Sequence, residues 1–153
     1  MTQVFIIADA FSADAALEAF AASRPDNAGA CASFVGYCRA SSRQGPVRAL
    51  ELQHYPGFTE TQVERLAAAV AERHQLIDLL IIHRVGVIAA REAIVLVAAM
   101  SAHRNAAFAA ASEMMDYLKT DAPFWKREIG PDGSRWIEPS ASDYARRAEH
   151  AND

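Results

Sequence analysis

Lysine is nearly absent from this sequence: 13 of its 15 Lys and Arg residues are Arg, and the two lysines are Lys119 and Lys126. Arg stays protonated under all conditions in a protein, whereas the amine of Lys can lose its proton, attack a carbonyl or pass a proton on. Both lysines lie in one short segment, LKTDAPFWKRE, at 118–128. This segregation favours a reactive site there, although an Arg-biased composition with two lysines on a solvated turn would give the same count.

The sequence also lacks an excess of positive charge and a long apolar run. Its net charge is -4 and its pI about 5.7, which gives no electrostatic support for binding nucleic acid or anionic lipid. The longest apolar stretch, AIVLVAAM at 93–100, is too short to span a bilayer, and no basic region precedes the first apolar run. We therefore expect a cytoplasmic protein that binds neither nucleic acid nor membranes.

Cysteine and the common site motifs are scarce as well. Cys31 and Cys38 lie seven residues apart in one predicted strand, and this odd spacing points their side chains to opposite faces, so they cannot pair. We expect both to be reduced, buried, small hydrophobic residues. His54 and the pair His83-Arg84 fit no metal-ligand pattern, and no P-loop, GxGxxG or GxSxG sequence occurs. The sequence thus predicts neither a metal site nor a bound cofactor.

The length of 153 residues and the 52% content of hydrophobic residues predict a single domain over 1–153. Short β-branched or aromatic segments predict strands at 3–8, 30–38, 47–55, 78–88 and 93–101. Helical patterns occupy 12–23, 59–74 and 102–119, and a GPDG turn predicts a hairpin over 126–138. Residues 141–153 form either a short terminal helix or a frayed tail. This order of elements favours an α+β fold with a largely antiparallel sheet and about three helices.

The third predicted helix carries a candidate site. Arg104, Met115 and Lys119 fall on one face at 100° per residue. Pro123 must end this helix and turn the chain, so that Lys126 can return beside Lys119. Two amines facing one hollow lower each other's proton affinity, which makes a lysine usable as a base or nucleophile near neutral pH. Core packing flanked by two charged ends remains an alternative for this face.

Further cations could join the lysines. His103 and Arg104 lie at the start of the third helix, where free N–H groups and the helix dipole favour an anion. Arg39 ends the predicted strand over 30–38. If the end of this strand and the start of the helix lie side by side, Arg39, Arg104 and both lysines form one cationic pocket.

Five segments in order resemble the large, catalytic subunit family of molybdopterin synthase. They are GACASFVGYCR, LELQHYPGFTE, IIHRVGVI, SAHRNAAF and MMDYLKTDAPFWKRE with the following DGSRWIE. The resemblance runs from about Gly29 to Glu138, and the order SAHR, DYLK and PFWKxE is its most specific part.

The resemblance implies an α/β-hammerhead-type fold and a homodimer of large subunits inside a heterotetramer. Its activity would be that of a sulfurtransferase in molybdenum cofactor biosynthesis. A small ubiquitin-like carrier subunit with a C-terminal Gly-Gly would bring sulfur as a thiocarboxylate to cyclic pyranopterin monophosphate, and two transfers would give the dithiolene of molybdopterin. The pocket residues that the resemblance assigns to this sequence are Phe34, Arg39, His103, Arg104, Met115, Lys119 and Lys126.

We combine both lines of reasoning in one hypothesis about roles. Lys119 is the principal acid/base group at the carrier's terminal carbonyl, and Lys126 positions and neutralises the pterin. Arg39, His103 and Arg104 bind substrate, and Phe34 and Met115 line a channel so narrow that only glycines pass through it. The alternative is a non-catalytic docking module for a ubiquitin-like partner with a Gly-Gly tail.

The sequence departs from the family pattern after WIE. Some relatives place there an Arg that reaches the neighbouring subunit's pocket, whereas this chain has Pro139 and Ser140. Arg146 or Arg147 are the candidates to replace that contact.

Overall fold

The computed structural model describes residues 1–150, which form ten strands and four helices. The helices are α1 (Ala13–Ala22), α2 (Phe58–Arg73), α3 (Arg104–Thr120) and α4 (Ala141–His150). The strands are β1 (Thr2–Ile7), β2 (Ala30–Tyr37), β3 (Ser41–Ser42), β4 (Gly45–Pro46), β5 (Ala49–His54), β6 (Asp78–Arg84), β7 (Gly86–Ala89), β8 (Ala93–Ser101), β9 (Phe124–Gly130) and β10 (Gly133–Ile137).

The predicted α+β class with mostly antiparallel strands is confirmed. One four-stranded sheet has the order β1-β6-β8-β2, in which only the pair β1 and β6 is parallel. A second, antiparallel sheet has the order β10-β9-β5-β7, and β3 pairs with β4. For residues 141–153 the sequence allowed either a short terminal helix or a frayed tail. Residues 141–150 of this segment form the helix α4, and residues 151–153 lie outside the described residues. No helix within 1–150 is long and apolar enough to cross a membrane.

Helices cover both faces of the first sheet. Because side chains alternate along a strand, Val95, Val97 and Ala99 of β8 pack against α2 and α3, while Leu96 and Met100 face α1. Such two-sided burial explains why β8 is an almost unbroken apolar run in the sequence. The first sheet therefore forms the rigid base onto which α3 is packed.

Two predictions were wrong. The segment 78–88 forms not one strand but two, because the chain turns at Gly86 with a φ of 86° and passes from the first sheet into the second. Cys38 is buried, as expected, but Cys31 is exposed, since it lies on β2, an edge strand with no neighbouring strand on one side. Both thiols are free.

The direction of α3 positions the site. In the register of β2 and β8, Ala30 pairs with Ser101 and Tyr37 with Ala93. The chain reverses after Ser101, so α3 runs back over the sheet and its last turn reaches the end of β2, where Arg39 follows. A turn then leads into β9, and the Thr59 hydroxyl holds it by donating to the carbonyl of Pro123 at 3.2 Å.

Candidate active site

Two adjoining cavities of about 420 and 440 Å³ meet at the end of α3. Lys119 from the last turn of α3, Lys126 from β9 and Arg39 from the segment after β2 line both of them. Lys126 reaches this place because Pro123 separates α3 from β9 and because β9 then pairs with β5, where Leu52 lies opposite Lys126. The structure thus brings together both lysines and one of the predicted arginines.

The first cavity, which we call the polar cavity, is also lined by oxygen-bearing side chains. Glu128 lies two residues after Lys126 on β9 and accepts a hydrogen bond from the Ser42 hydroxyl at 2.7 Å. Asp143 of α4 accepts one from the backbone N–H of Ser140 at 2.9 Å. This cavity is therefore a mixed-charge site that suits a polar, anionic small molecule with hydrogen-bonding groups of its own.

The second cavity, which we call the apolar cavity, is lined mainly by hydrophobic and aromatic residues. Phe34 of β2 and Met115 of α3, the two residues assigned to a channel, line it together with Phe124 and His83. Phe34 is 44% exposed, so one side of the cavity is open to solvent. A slender chain end could enter from there and reach the amines.

The electrostatics of the site single out Lys126. Burial lowers the pKa of Lys126 to about 8, and the neighbouring Lys119 adds to the effect through its charge and a hydrogen bond. Asp143 opposes the shift and Arg39 strengthens it. In turn, the pKa of Asp143 is lowered: burial acts to raise it, but the Ser140 hydrogen bonds and the two lysines prevail. Lys126 is thus an amine that titrates near neutral pH.

His83 is a buried, neutral imidazole in the wall of the apolar cavity. Its ring stacks on Phe124 with centroids 4.1 Å apart and an interplanar angle of 12°. Burial lowers the pKa of His83 to about 4; the hydrogen bond to the Arg84 carbonyl opposes this shift, and Lys126 and Lys119 add to it. The imidazole is therefore uncharged at physiological pH.

His103 and Arg104 do not lie at this site. His103 is the N-cap of α3 and Arg104 its first residue, and neither lines either cavity. Arg104 and Lys119 are 15 positions apart in the helix, which is about 22 Å at 1.5 Å per residue. The single pocket expected for Arg104 and the other three cations does not exist within one chain, because the start of α3 lies beside the start of β2 and not beside its end.

Arg146 and Arg147, the candidates for the contact with the neighbouring subunit, both contact α3 of their own chain or the residue that follows it. Arg146 contacts Asp116 and Ser112 of α3 at 3.3 and 3.0 Å. Arg147 donates to Asp121 at 2.7 Å. Both guanidinium groups therefore fasten α4 to its own chain. The segment before α4, with Pro139 and Ser140, lines the polar cavity instead.

Three lining residues were missed by the sequence reasoning. Glu128 could have been found, because its two-residue spacing from Lys126 puts both side chains on one face of a strand. His83 was set aside because a His-Arg pair has no metal-ligand logic. For Asp143 the sequence holds no signal, since its place depends on how α4 docks onto α3.

Fold and site together define the class of protein: an α+β domain with a cationic, lysine-containing site between a polar and an apolar cavity. The family described as MoaE protein matches residues 6–121 of the chain. The molybdopterin synthase catalytic subunit of Caulobacter vibrioides is 54% identical over 127 residues, which are 83% of each chain. The chain belongs to the MoaE family.

Solved structures agree with this assignment. The molybdopterin biosynthesis MoaE protein from Burkholderia ambifaria superposes with a TM-score of 0.81 at 43% identity and covers 99% of both chains. A protein-protein complex of subunits 1 and 2 of molybdopterin-converting factor from Helicobacter pylori shares the fold, with a TM-score of 0.74 at 21% identity over 88% of this chain and 89% of that one.

Proposed function

We propose that this chain is the catalytic subunit of a cytosolic molybdopterin synthase. It transfers sulfur from the thiocarboxylate of a small ubiquitin-like carrier to cyclic pyranopterin monophosphate. The relatives named molybdopterin synthase catalytic subunit support the assignment. The observation that carries it in this chain is the meeting of Lys119, Lys126 and Arg39 where the apolar and polar cavities join.

The apolar cavity suits the carrier tail. A C-terminal Gly-Gly segment has no side chains, so it can enter between Phe34 and Met115 as bare backbone. Its thiocarboxylate then lies beside the amines of Lys119 and Lys126. Lys119 is exposed and belongs to the last turn of α3. There, Lys119 can donate a hydrogen bond to the terminal carbonyl and stabilise negative charge that develops on it.

The polar cavity suits the pterin. Arg39 provides a permanent cation for a phosphate, and Lys126 adds a second one when it is protonated. Glu128 and Asp143 offer acceptors for ring N–H groups. The two reactants would thus approach the amines from opposite sides.

The lysine pair can move the protons that the reaction requires. Each transfer forms a carbon–sulfur bond on the pterin and displaces an oxygen, which must leave with a proton. Water then cleaves the bond between the carrier's acyl carbon and the sulfur, which leaves the sulfur on the pterin and releases the carrier as a free carboxylate. With a pKa of about 8, Lys126 is partly neutral at physiological pH and can take a proton that Lys119 or water gives up. We therefore extend the acid/base role, which the sequence suggested for Lys119, to both amines.

A homodimer would explain why His103 and Arg104, which the family resemblance assigns to the pocket, lie far from it within one chain. His103 and Arg104 lie exposed at the start of α3, far from the cavities of their own chain. A second copy could place its own His103 and Arg104 beside the pocket of this chain. We include this arrangement in the proposal, together with two carrier subunits that complete a heterotetramer.

A reconstitution assay tests the function. The purified chain is mixed with thiocarboxylated carrier and cyclic pyranopterin monophosphate, and dithiolene formation is measured for the wild type and for Lys119→Arg. We expect product from the wild type and near-complete loss in the variant with carrier binding retained, because Arg keeps the charge but cannot release a proton. Absence of product from the wild type would favour the docking module instead.

A further inference from the structure

The apolar cavity has an imbalance between hydrogen-bond donors and acceptors. A peptide tail brings both carbonyl acceptors and N–H donors, and each one that loses water without a new partner weakens binding. The protonated side chains of Arg39, Lys119 and Lys126 can only donate. The carbonyl groups of the tail therefore find hydrogen-bond donors in the cavity, but its N–H groups need an acceptor. Among the lining side chains, the oxygen and nitrogen acceptors are the imidazole of His83, the exposed hydroxyl of Tyr37 and the amine of Lys126 in its neutral form.

The structure fixes which nitrogen of His83 can accept. Nδ1 lies 3.0 Å from the carbonyl oxygen of Arg84, and because a carbonyl only accepts, Nδ1 must carry the hydrogen. The burial that keeps the ring neutral leaves Nε2 with a free lone pair. Within residues 1–150, Nε2 has no hydrogen-bond partner. It is nevertheless in contact with solvent, so a ligand can reach it.

The ring is also held in place. It is only 7% exposed and stacks on Phe124, the first residue of β9, while the Arg84 carbonyl prevents it from turning over. An acceptor that is fixed before the ligand arrives loses little conformational entropy on binding. Tyr37 is 58% exposed, and within residues 1–150 its side chain makes no hydrogen bond or ring stacking contact that would fix it.

We propose that Nε2 of His83 accepts a hydrogen bond from a backbone N–H of the carrier's Gly-Gly tail, which makes His83 a tail-binding residue. This assignment rests on the proposed function, since it presupposes that the tail enters the apolar cavity. It gives the neutral imidazole a task that a lysine or an arginine in its place could not perform.

The test is a double-mutant cycle between protein and ligand. Carrier proteins are prepared by semisynthesis with a normal Gly-Gly end or with one of the two glycine nitrogens methylated, which removes that N–H. Their dissociation constants are measured for the wild type and for His83→Phe, which keeps a ring able to stack but has no acceptor. We expect His83→Phe to weaken binding of the normal carrier about tenfold. One of the two methylations should do the same to the wild type.

The decisive quantity is the coupling energy between the His83→Phe substitution and the methylation of the glycine nitrogen. If His83 accepts from that N–H, the methylated carrier binds His83→Phe no more weakly than it binds the wild type. Additive losses would overturn the assignment, as would normal affinity in His83→Phe. His54→Phe is the matched control, because His54 lies outside both cavities, and its carrier affinity should stay within about twofold of the wild type.

Two further outcomes keep the test sharp. If His83→Phe does not fold, the wild type alone decides, because equal affinity for all three carriers would contradict the assignment. If the normal carrier does not bind at all, the proposed function itself fails, and this assignment fails with it. Unchanged affinity in His83→Phe together with a shifted pH dependence of catalysis would show that Nε2 serves Lys126 and not the tail.

Discussion

Lys119 and Lys126 share the same two cavities, although one ends a helix and the other lies within a strand. The proline turn at 121–123 brings them together, and the charge and hydrogen bond of Lys119, added to burial, keep the pKa of Lys126 at about 8. A chain that otherwise uses Arg throughout thus concentrates its two titratable amines at one point.

The rate of sulfur transfer should depend on pH through Lys126. We expect kcat/KM to rise between pH 7 and 9 with a midpoint near 8, because the free amine must be present to accept a proton. Single-turnover assays over this range check it. In Lys126→Arg, kcat/KM should no longer rise around pH 8. A wild-type kcat/KM that stays constant between pH 7 and 9 would contradict the role of Lys126.

Burial of neutral His83 should make the fold sensitive to acid. Its pKa is about 4 in the folded chain against 6.5 for an ordinary His, so between these values the unfolded chain binds the extra proton. The unfolding free energy therefore falls as the pH drops from 6.5 to 4, by about 3 kcal/mol from this group alone. Urea unfolding at several pH values measures this effect. Between pH 6.5 and 4, the unfolding free energy of the wild type should fall by about 3 kcal/mol more than that of His83→Gln. Equal losses would show that His83 is not the cause.

A buried carboxylate holds α2 to α3. Glu113 is 2% exposed and pairs with Arg73, which also donates to the hydroxyl of Tyr117 at 3.3 Å. Arg73→Met leaves this carboxylate without its main partner and should lower the unfolding free energy by about 1–3 kcal/mol. The double variant with Glu113→Gln should recover part of the loss, because it removes the unpaired charge. Arg65→Met, on the exposed side of α2, is the control and should change stability by less than about 0.5 kcal/mol.

Met115 should control access of the tail. Met115→Trp fills part of the apolar cavity, and carrier affinity should fall about tenfold or more, since overpacking costs about 1–3 kcal/mol. Met115→Leu has a similar volume and should bind the carrier nearly as well as the wild type. Titration calorimetry with the carrier separates the two. Normal carrier affinity in Met115→Trp would mean that the tail takes another path.

Much of this architecture follows from local sequence patterns. The almost unbroken apolar run of β8 and the proline that ends α3 were sufficient to predict those elements and the return of Lys126 towards Lys119. Gly86 was not read as a break, because a single glycine inside an apolar run gives no sign that the chain changes sheets. The position of Arg104 could not be predicted either, since it depends on the register between β2 and β8, and register is set by pairing across the sheet.

The environment of the two lysines can be measured directly, because the chain contains no others. Lysine labelled with ¹³C at the ε carbon gives two signals, which are assigned with Lys126→Arg, and their chemical shifts are followed from pH 6 to 12. The signal of Lys126 should titrate near pH 8, and in Lys119→Met its midpoint should move upwards, because the charge and hydrogen bond that lower the pKa are gone. A Lys126 signal that titrates near 10.5 in the wild type would show that the amines do not share a partly buried site, and would contradict the account.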